Sequence, residues 1–264
     1  MDVYTIIPPT APAVPILISS PHSGTYFPDG ILKRIKPELA AAPSDTDWFI
    51  DKLYDFAPAL GITMITANYS RWVIDLNRYP QQEPLYMDGR VITGLTPITD
   101  FNGLGIYNGK LPDDAEVEER LEKYFIPYHK KIDELLVGLK SEFGKALLFD
   151  AHSIRKHVPG IQQAPFPDLI LGDNDLTSAS PAIIAAAYSE LQKDNYHVQH
   201  NTPFKGGYIT RSFGHPENDI HALQLEMAKL TYMDDTETEY DDNRANKMRA
   251  LLKQAFIKLI ETLH

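Results

Sequence analysis

Short apolar runs in this 264-residue chain stop abruptly at polar clusters, and longer helical patterns separate them. "VPILIS" ends in "SPHSG", where Pro21 and Gly24 break the run and leave His22 in the loop that follows. "ALLFDAHS" closes on Asp150 and His152, "WVIDLN" reads as an extended run leading into Arg78, and "IHALQLEM" contains Glu226. "GITMITAN" and "DLILGD" read as further strands, with "YHVQHN" and "GGYITRSF" as extended pieces. Between them, "SDTDWFIDKLYDFAPAL" predicts an amphipathic helix with Ser44 as candidate N-cap. "DDAEVEERLEKYFIPYHKKIDELLVGLKSEF" places acids before bases, the order a helix dipole favours, with a kink expected at Pro127. "PAIIAAAYSELQK" and a segment from about Asp242 complete the helices. Residues 79–112 are rich in Pro, Gly and Asp with little periodicity, which predicts a long surface excursion near a functional face. This alternation predicts an α/β fold with a mainly parallel or mixed central sheet flanked by helices. In such folds ligands bind at the carboxyl ends of the strands.

Composition narrows the chemistry. A hydrophobic content of 43% without a compositional break predicts a single domain over residues 1–264. There is no cysteine, so disulfides, thiolate zinc sites and cysteine nucleophiles are excluded, and His, Asp and Glu remain as metal ligands. This fits a reducing cytoplasm. The N-terminus carries an early Asp and no basic region before its short apolar run, so it reads poorly as a secretory signal. No run approaches the roughly 20 apolar residues that span a bilayer. A formal net charge of −11 disfavours binding to a phosphate backbone. A soluble protein acting on a small molecule, with neither nucleic acid nor membrane as partner, is the expectation.

The polar strand ends form a possible constellation. A catalytic zinc commonly takes three protein ligands from His and carboxylate and leaves a position for water; His22, His152 and one acid would supply them. The spacing is not the short HExxH type, so the ligands would come from separate strand ends. The acid would come from "SDTD", as Asp45 or Asp47; the latter also fits a capping-box acid. Asp150 suits either an acceptor that orients a ligand imidazole or an ordinary sheet-end hydrogen bond. On strand alternation Gln224 and Glu226 share one side, opposite Leu223 and Leu225, a pattern that a solvent-facing strand also shows. His129 reads as a packed or surface histidine.

The segments "VPILISSPHSG", "SDTDWFIDKLY", "YSRWVIDLNR", "LLFDAHSIR", "PFKGGYITRSFG" and "HALQLEM" together resemble the N-formylglutamate amidohydrolases, with order and spacing kept over most of the chain. More distantly, "DLNR" is similar to the same element in aspartoacylase and succinylglutamate desuccinylase, zinc deacylases of carboxypeptidase-like α/β fold. Those relatives use an HxxE metal motif, whereas here Thr25 stands three residues after His22. The resemblance implies a zinc-dependent amide hydrolase of bacterial histidine catabolism that converts N-formyl-L-glutamate to glutamate and formate. It implies His22, Asp47 and His152 as zinc ligands, Asp45 being the fallback acid. Glu226 would act as general base and acid, and Arg71 would sit at the developing oxyanion. Asn77 and Arg78 would hold the α-carboxylate, and Arg211, the Lys205, Gly206 and Gly207 loop and Asn201 the side-chain carboxylate. Without the resemblance, Arg71 and Arg78 read equally well as ion-pair partners of Asp75. A deacylase for another N-acyl amino acid or a peptide, and a metal-free carboxylate-binding protein, are the competing expectations.

Overall fold

The computed structural model describes residues 1–81 and 93–264. Its seven strands are β1 (Tyr4–Ile7), β2 (Ile16–Ser20), β3 (Thr63–Ala67), β4 (Ala146–Ile154), β5 (Leu169–Gly172), β6 (Val198–His200) and β7 (Ile220–Ala228). They form one mixed sheet in the order β1-β3-β2-β4-β7-β5-β6. The four central strands β3, β2, β4 and β7 run parallel, so their carboxyl ends open on the same edge. β1 runs antiparallel to β3, and β5 antiparallel to β7. The α-helices are α1 (Asp29–Leu32), α2 (Pro37–Ala40), α3 (Ile50–Leu53), α4 (Asp114–Arg120), α5 (Ile126–Phe143), α6 (Pro181–Leu191), α7 (Tyr208–Phe213) and α8 (Asp242–Leu263). Among the described residues, no helix is long and apolar enough to cross a membrane.

Strand alternation divides the core in two. Ile16, Ile18, Leu147, Phe149, Leu223 and Leu225 face a cluster completed by α3, α6 and α8. Leu17, Ile65, Leu148 and Ala222 face the opposite cluster, completed by α5 and α7. Each buried Leu or Ile contributes about 1.5–3 kcal/mol. With both faces covered, the buried polar groups of the central strands, such as Asp150 and His152 in β4 and Gln224 in β7, stand from mid-strand toward the carboxyl ends. This is the helix-flanked mixed sheet that the sequence predicts.

Several elements differ from expectation. The helix anticipated from Ser44 shrinks to the single turn α3, because Phe49 adopts a left-handed conformation (φ 63°) and Ser44 donates its hydroxyl to Asp45 Oδ1 instead of capping. "WVIDLN" is a series of turns after β3. Its Asp75 side chain accepts the Asn77 backbone N–H at 2.9 Å, an Asx turn that takes the place of strand pairing. "GGYITRSF" forms α7, its β-branched residues packed by tertiary contact: Ile209 and Thr210 are fully buried. Within the proline-rich lead, residues 4–7 form β1, which pairs with β3. The anticipated kink is a π-helical turn, Leu121–Phe125, just ahead of Pro127, whose missing N–H interrupts the helical ladder. Of the excursion at 79–112, residues 82–92 lie outside the described residues. Beyond them Leu95, Ile106 and Tyr107 are buried, so the excursion packs onto the core as well as crossing the surface.

Candidate metal centre and active site

β4 and β7 build the floor. Alternation puts Asp150 and His152 on one face of β4, and Gln224 and Glu226 on the same face of β7. The ladder sets Asp150 beside Gln224 and His152 beside Glu226. The loop after β2 brings in His22, the irregular segment before α3 brings in Asp47, and the turns after β3 bring in Arg71, Asp75, Asn77 and Arg78. Residues distant in sequence thus converge at the open edge of the sheet.

His22, Asp47 and His152 are buried, and each offers one ligand atom within 4.8 Å of the others. Asp47 Oδ2 lies 3.0 Å from His152 Nδ1 and 3.7 Å from His22 Nδ1. The rings are tilted at 54°, with centroids 4.9 Å apart. Each imidazole is held from behind by its own carboxylate: His22 Nε2 is 2.7 Å from Asp75 Oδ1, and His152 Nε2 is 2.8 Å from Asp150 Oδ2. Buried carboxylates of this kind fix the ring orientation of metal-binding histidines. His22 Nδ1 is buried without a hydrogen-bond partner, a state that otherwise costs about 1–3 kcal/mol. A divalent cation held by the trio would satisfy it. Tetrahedral zinc with bonds of ~2.1 Å holds its ligands ~3.4 Å apart, so the Asp47–His22 pair at 3.7 Å would draw in and the Asp47–His152 pair at 3.0 Å would open slightly around an ion. The donor set fits zinc.

Asp45 has other partners. Its carboxylate accepts from the Trp72 indole (3.1 Å) and from the Phe101 backbone N–H, tying the loop to the excursion. Burial raises its pKa against the pull of Arg71. Asp75, fully buried, is the hub of "VIDLNR": besides His22 and Asn77 it receives Arg71 Nη2 at 2.5 Å, and Arg78 stands at 3.7 Å. Burial opposes its ionisation, but Arg71, Arg78 and His22 outweigh that and hold its pKa well below the usual range. Burial and the Arg71 charge push His22 down to about 4, which keeps it neutral and ready to ligate. Burial also opposes charging His152, yet Asp150 and Asp47 on its two sides raise its pKa well above the ordinary value.

Glu226 is partly buried. Burial of its carboxyl, aided by Asp47 and Asp150 and opposed by His152 and Arg71, raises its pKa to about 8. Arg71 is buried over the Phe101 ring, at 4.7 Å, with its Nε lacking a hydrogen-bond partner. Arg78 donates to Thr93 O and Asn77 O. The Asn77 amide is engaged inside the protein: Oδ1 accepts the Ile209 N–H at 2.7 Å and Nδ2 donates to Asp150 Oδ2 at 3.1 Å. Gly207 packs directly on this amide, where a Cβ would fall 2.4 Å from Asn77 Nδ2, and its N–H donates to Gln224 Oε1. Gly206 has φ 112°, a conformation that favours glycine. Asn201 donates to Asp173, Lys205 pairs with Asp175 on the surface, and Arg211 Nε donates to Gly206 O. Sequence reasoning missed Asp75 as the carboxylate behind His22, although an acid inside an apolar run with an Asn two residues on was a usable sign. It also missed Lys229 and Tyr232, which lie buried beside the Asp47 segment.

The covered mixed sheet with a polar cluster at its open edge is an α/β fold, and its family match makes the chain a hydrolase. The chain belongs to the N-formylglutamate amidohydrolase family, whose model matches residues 14–233. It is 43% identical over 251 residues to an N-formylglutamate deformylase of Pseudomonas aeruginosa, covering 94% of this chain and 93% of that one. It is 40% identical over 250 residues to the protein of the same name in Pseudomonas putida, covering 94% and 92%. A crystal structure of an N-formylglutamate amidohydrolase from Ralstonia eutropha superposes with a TM-score of 0.82 at 28% identity, covering 98% of this chain and 97% of that one.

Proposed function

We propose that this chain is a zinc-dependent amide hydrolase that converts N-formyl-L-glutamate and water to L-glutamate and formate in the cytoplasm. The reading is supported above all by the buried His22, Asp47 and His152 trio facing Glu226 across the β4–β7 ladder, in a chain 43% identical to a protein named for that reaction. Zinc held by the trio would polarise the formyl oxygen and acidify a bound water. Glu226 takes the proton of the attacking water on its carboxylate and returns it to the leaving nitrogen, a role suited to a carboxyl whose pKa is raised to about 8. Arg71, with an unpartnered Nε, stabilises the developing oxyanion. Arg78 and Arg211 are assigned the two substrate carboxylates as guanidinium forks. Asn77, Asn201, Lys205, Gly206 and Gly207 are assigned to the frame of that pocket, the amides of Asn77 and Asn201 being held by their bonds to Ile209 and Asp173.

The test is a direct comparison of formate, acetate and succinate release from N-formyl-, N-acetyl- and N-succinyl-glutamate, with zinc per chain counted in protein purified without chelator. Preferred turnover of the formyl substrate by protein carrying one zinc per chain is the expected result. Preference for a larger acyl group would reassign the substrate, and full activity without a divalent metal would remove the metal from the mechanism.

A further inference from the structure

The turn that leaves β7 points back at the metal trio. After Glu226 the strand runs two more residues and enters a 3₁₀ turn, Lys229–Thr231, followed by Tyr232. Lys229 is 2% exposed, an unusual burial for a lysine, and its ammonium donates to Ser44 O at 3.1 Å. Asp47, Asp45 and Glu237 are the acids that face it, and Arg155 is the cation. Tyr232 is fully buried; its hydroxyl donates to Trp48 O at 2.9 Å and lies 2.7 Å from Ser153 Oγ, beside His152. These contacts meet the Asp47 segment at residue 44 on one side and residue 48 on the other. That segment has neither helix nor strand to hold it, and the backbone of Asp47 itself is tied by its N–H to His22 O at 3.0 Å and by its carbonyl, which accepts the Ile50 N–H at 3.4 Å.

We propose that Lys229 and Tyr232 are positioning residues that grip the backbone on both sides of Asp47 and fix its carboxylate against His22 and His152. This rests on the zinc reading above. The strand that carries Glu226 thereby also sets the third ligand, so proton carrier and ligand trio share one anchor. Nothing in the arrangement requires Lys229 or Tyr232 to touch substrate.

The experiment compares wild type with Lys229→Met, which keeps the stem and removes the donor, and with Tyr232→Phe, which keeps the ring and removes the hydroxyl. Zinc affinity is measured by chelator competition on the full chain, alongside the thermal unfolding of each metal-free protein. Both variants are expected to bind zinc about 10–100-fold more weakly, the range seen when a group behind a metal ligand is lost. Tyr232→Phe alone carries the test if Lys229→Met fails to fold. Unchanged zinc affinity with lowered metal-free stability would mean a purely structural role and would overturn the proposal while leaving the zinc reading intact. A wild-type protein that takes up no zinc would overturn both.

Discussion

At the scale of single residues, the centre depends on which groups carry protons. Glu226→Gln keeps the side chain's size but removes the proton carrier, so formate release should fall by about 10²–10⁴-fold while zinc content stays at the wild-type level. Retained turnover within a few-fold of wild type would reject the role given to Glu226. His152 makes a second prediction. Burial opposes its charging, but Asp150 and Asp47 raise its pKa, so they hold its proton more tightly in the metal-free protein, and ligation requires that proton to leave. Zinc affinity should therefore climb with pH, by up to about tenfold per pH unit until the His152 pKa is passed, as read by chelator competition; a flat profile would contradict this. The sequence marks His22 and His152 as candidates through their places at the ends of apolar runs, and Glu226 through strand alternation together with the family resemblance. It leaves Asp45 and Asp47 equivalent, since two acids in one short segment differ only in where the backbone turns them. The fold separates them: Asp45 goes to Trp72 and Phe101, and Asp47 to the imidazoles.

At the scale of elements, the long parallel strands and the helices α5, α6 and α8 were legible because hydrophobic periodicity dominates them. The segments around the centre were not. "WVIDLN" and "GGYITRSF" have strand-like composition, but contacts with other segments decide their shape: Arg120 donates to Val73 O at 2.8 Å, and Gly207 lies flat on Asn77. That packing makes Gly207→Ala a test of the arrangement. The added Cβ would meet Asn77 at 2.4 Å, so the variant should lose about 1–3 kcal/mol of stability and bind zinc more weakly, because Asn77 supports Asp150 behind His152. A variant with wild-type stability and affinity would show that the loop can shift freely. In α5, His129 stacks on Phe125 at 3.8 Å, and burial, opposed by the Phe125 carbonyl, lowers its pKa to about 4. A depressed histidine contributes stability that is present above about pH 6.5 and is lost as pH falls toward 4, since the unfolded chain binds the proton first. His129→Phe should remove up to about 3 kcal/mol of that acid sensitivity, seen as a shallower fall in denaturation free energy between pH 7 and 4.

For the molecule as a whole, the three proposed ligands come from positions 22, 47 and 152, so an ion bound by them would tie distant parts of the chain together. Zinc at a thousandfold excess over its dissociation constant should add about 4 kcal/mol, a rise in melting temperature of roughly 8 °C or more for a chain of this size, measured by calorimetry with and without chelator. No shift would mean that the folded state has no preference for the ion.

The pairing of His152 with Glu226 on a continuous hydrogen-bonded ladder, while His22 and Asp47 hang from loops, makes the two halves of the centre unequal in stiffness. An ion held by the trio would leave through the loop half once the ties of Lys229 to residue 44 and of Tyr232 to residue 48 open, while the β-sheet half keeps its shape for recapture. Amide exchange in the metal-free protein should then be fast along that loop and slow along 147–153 and 221–227.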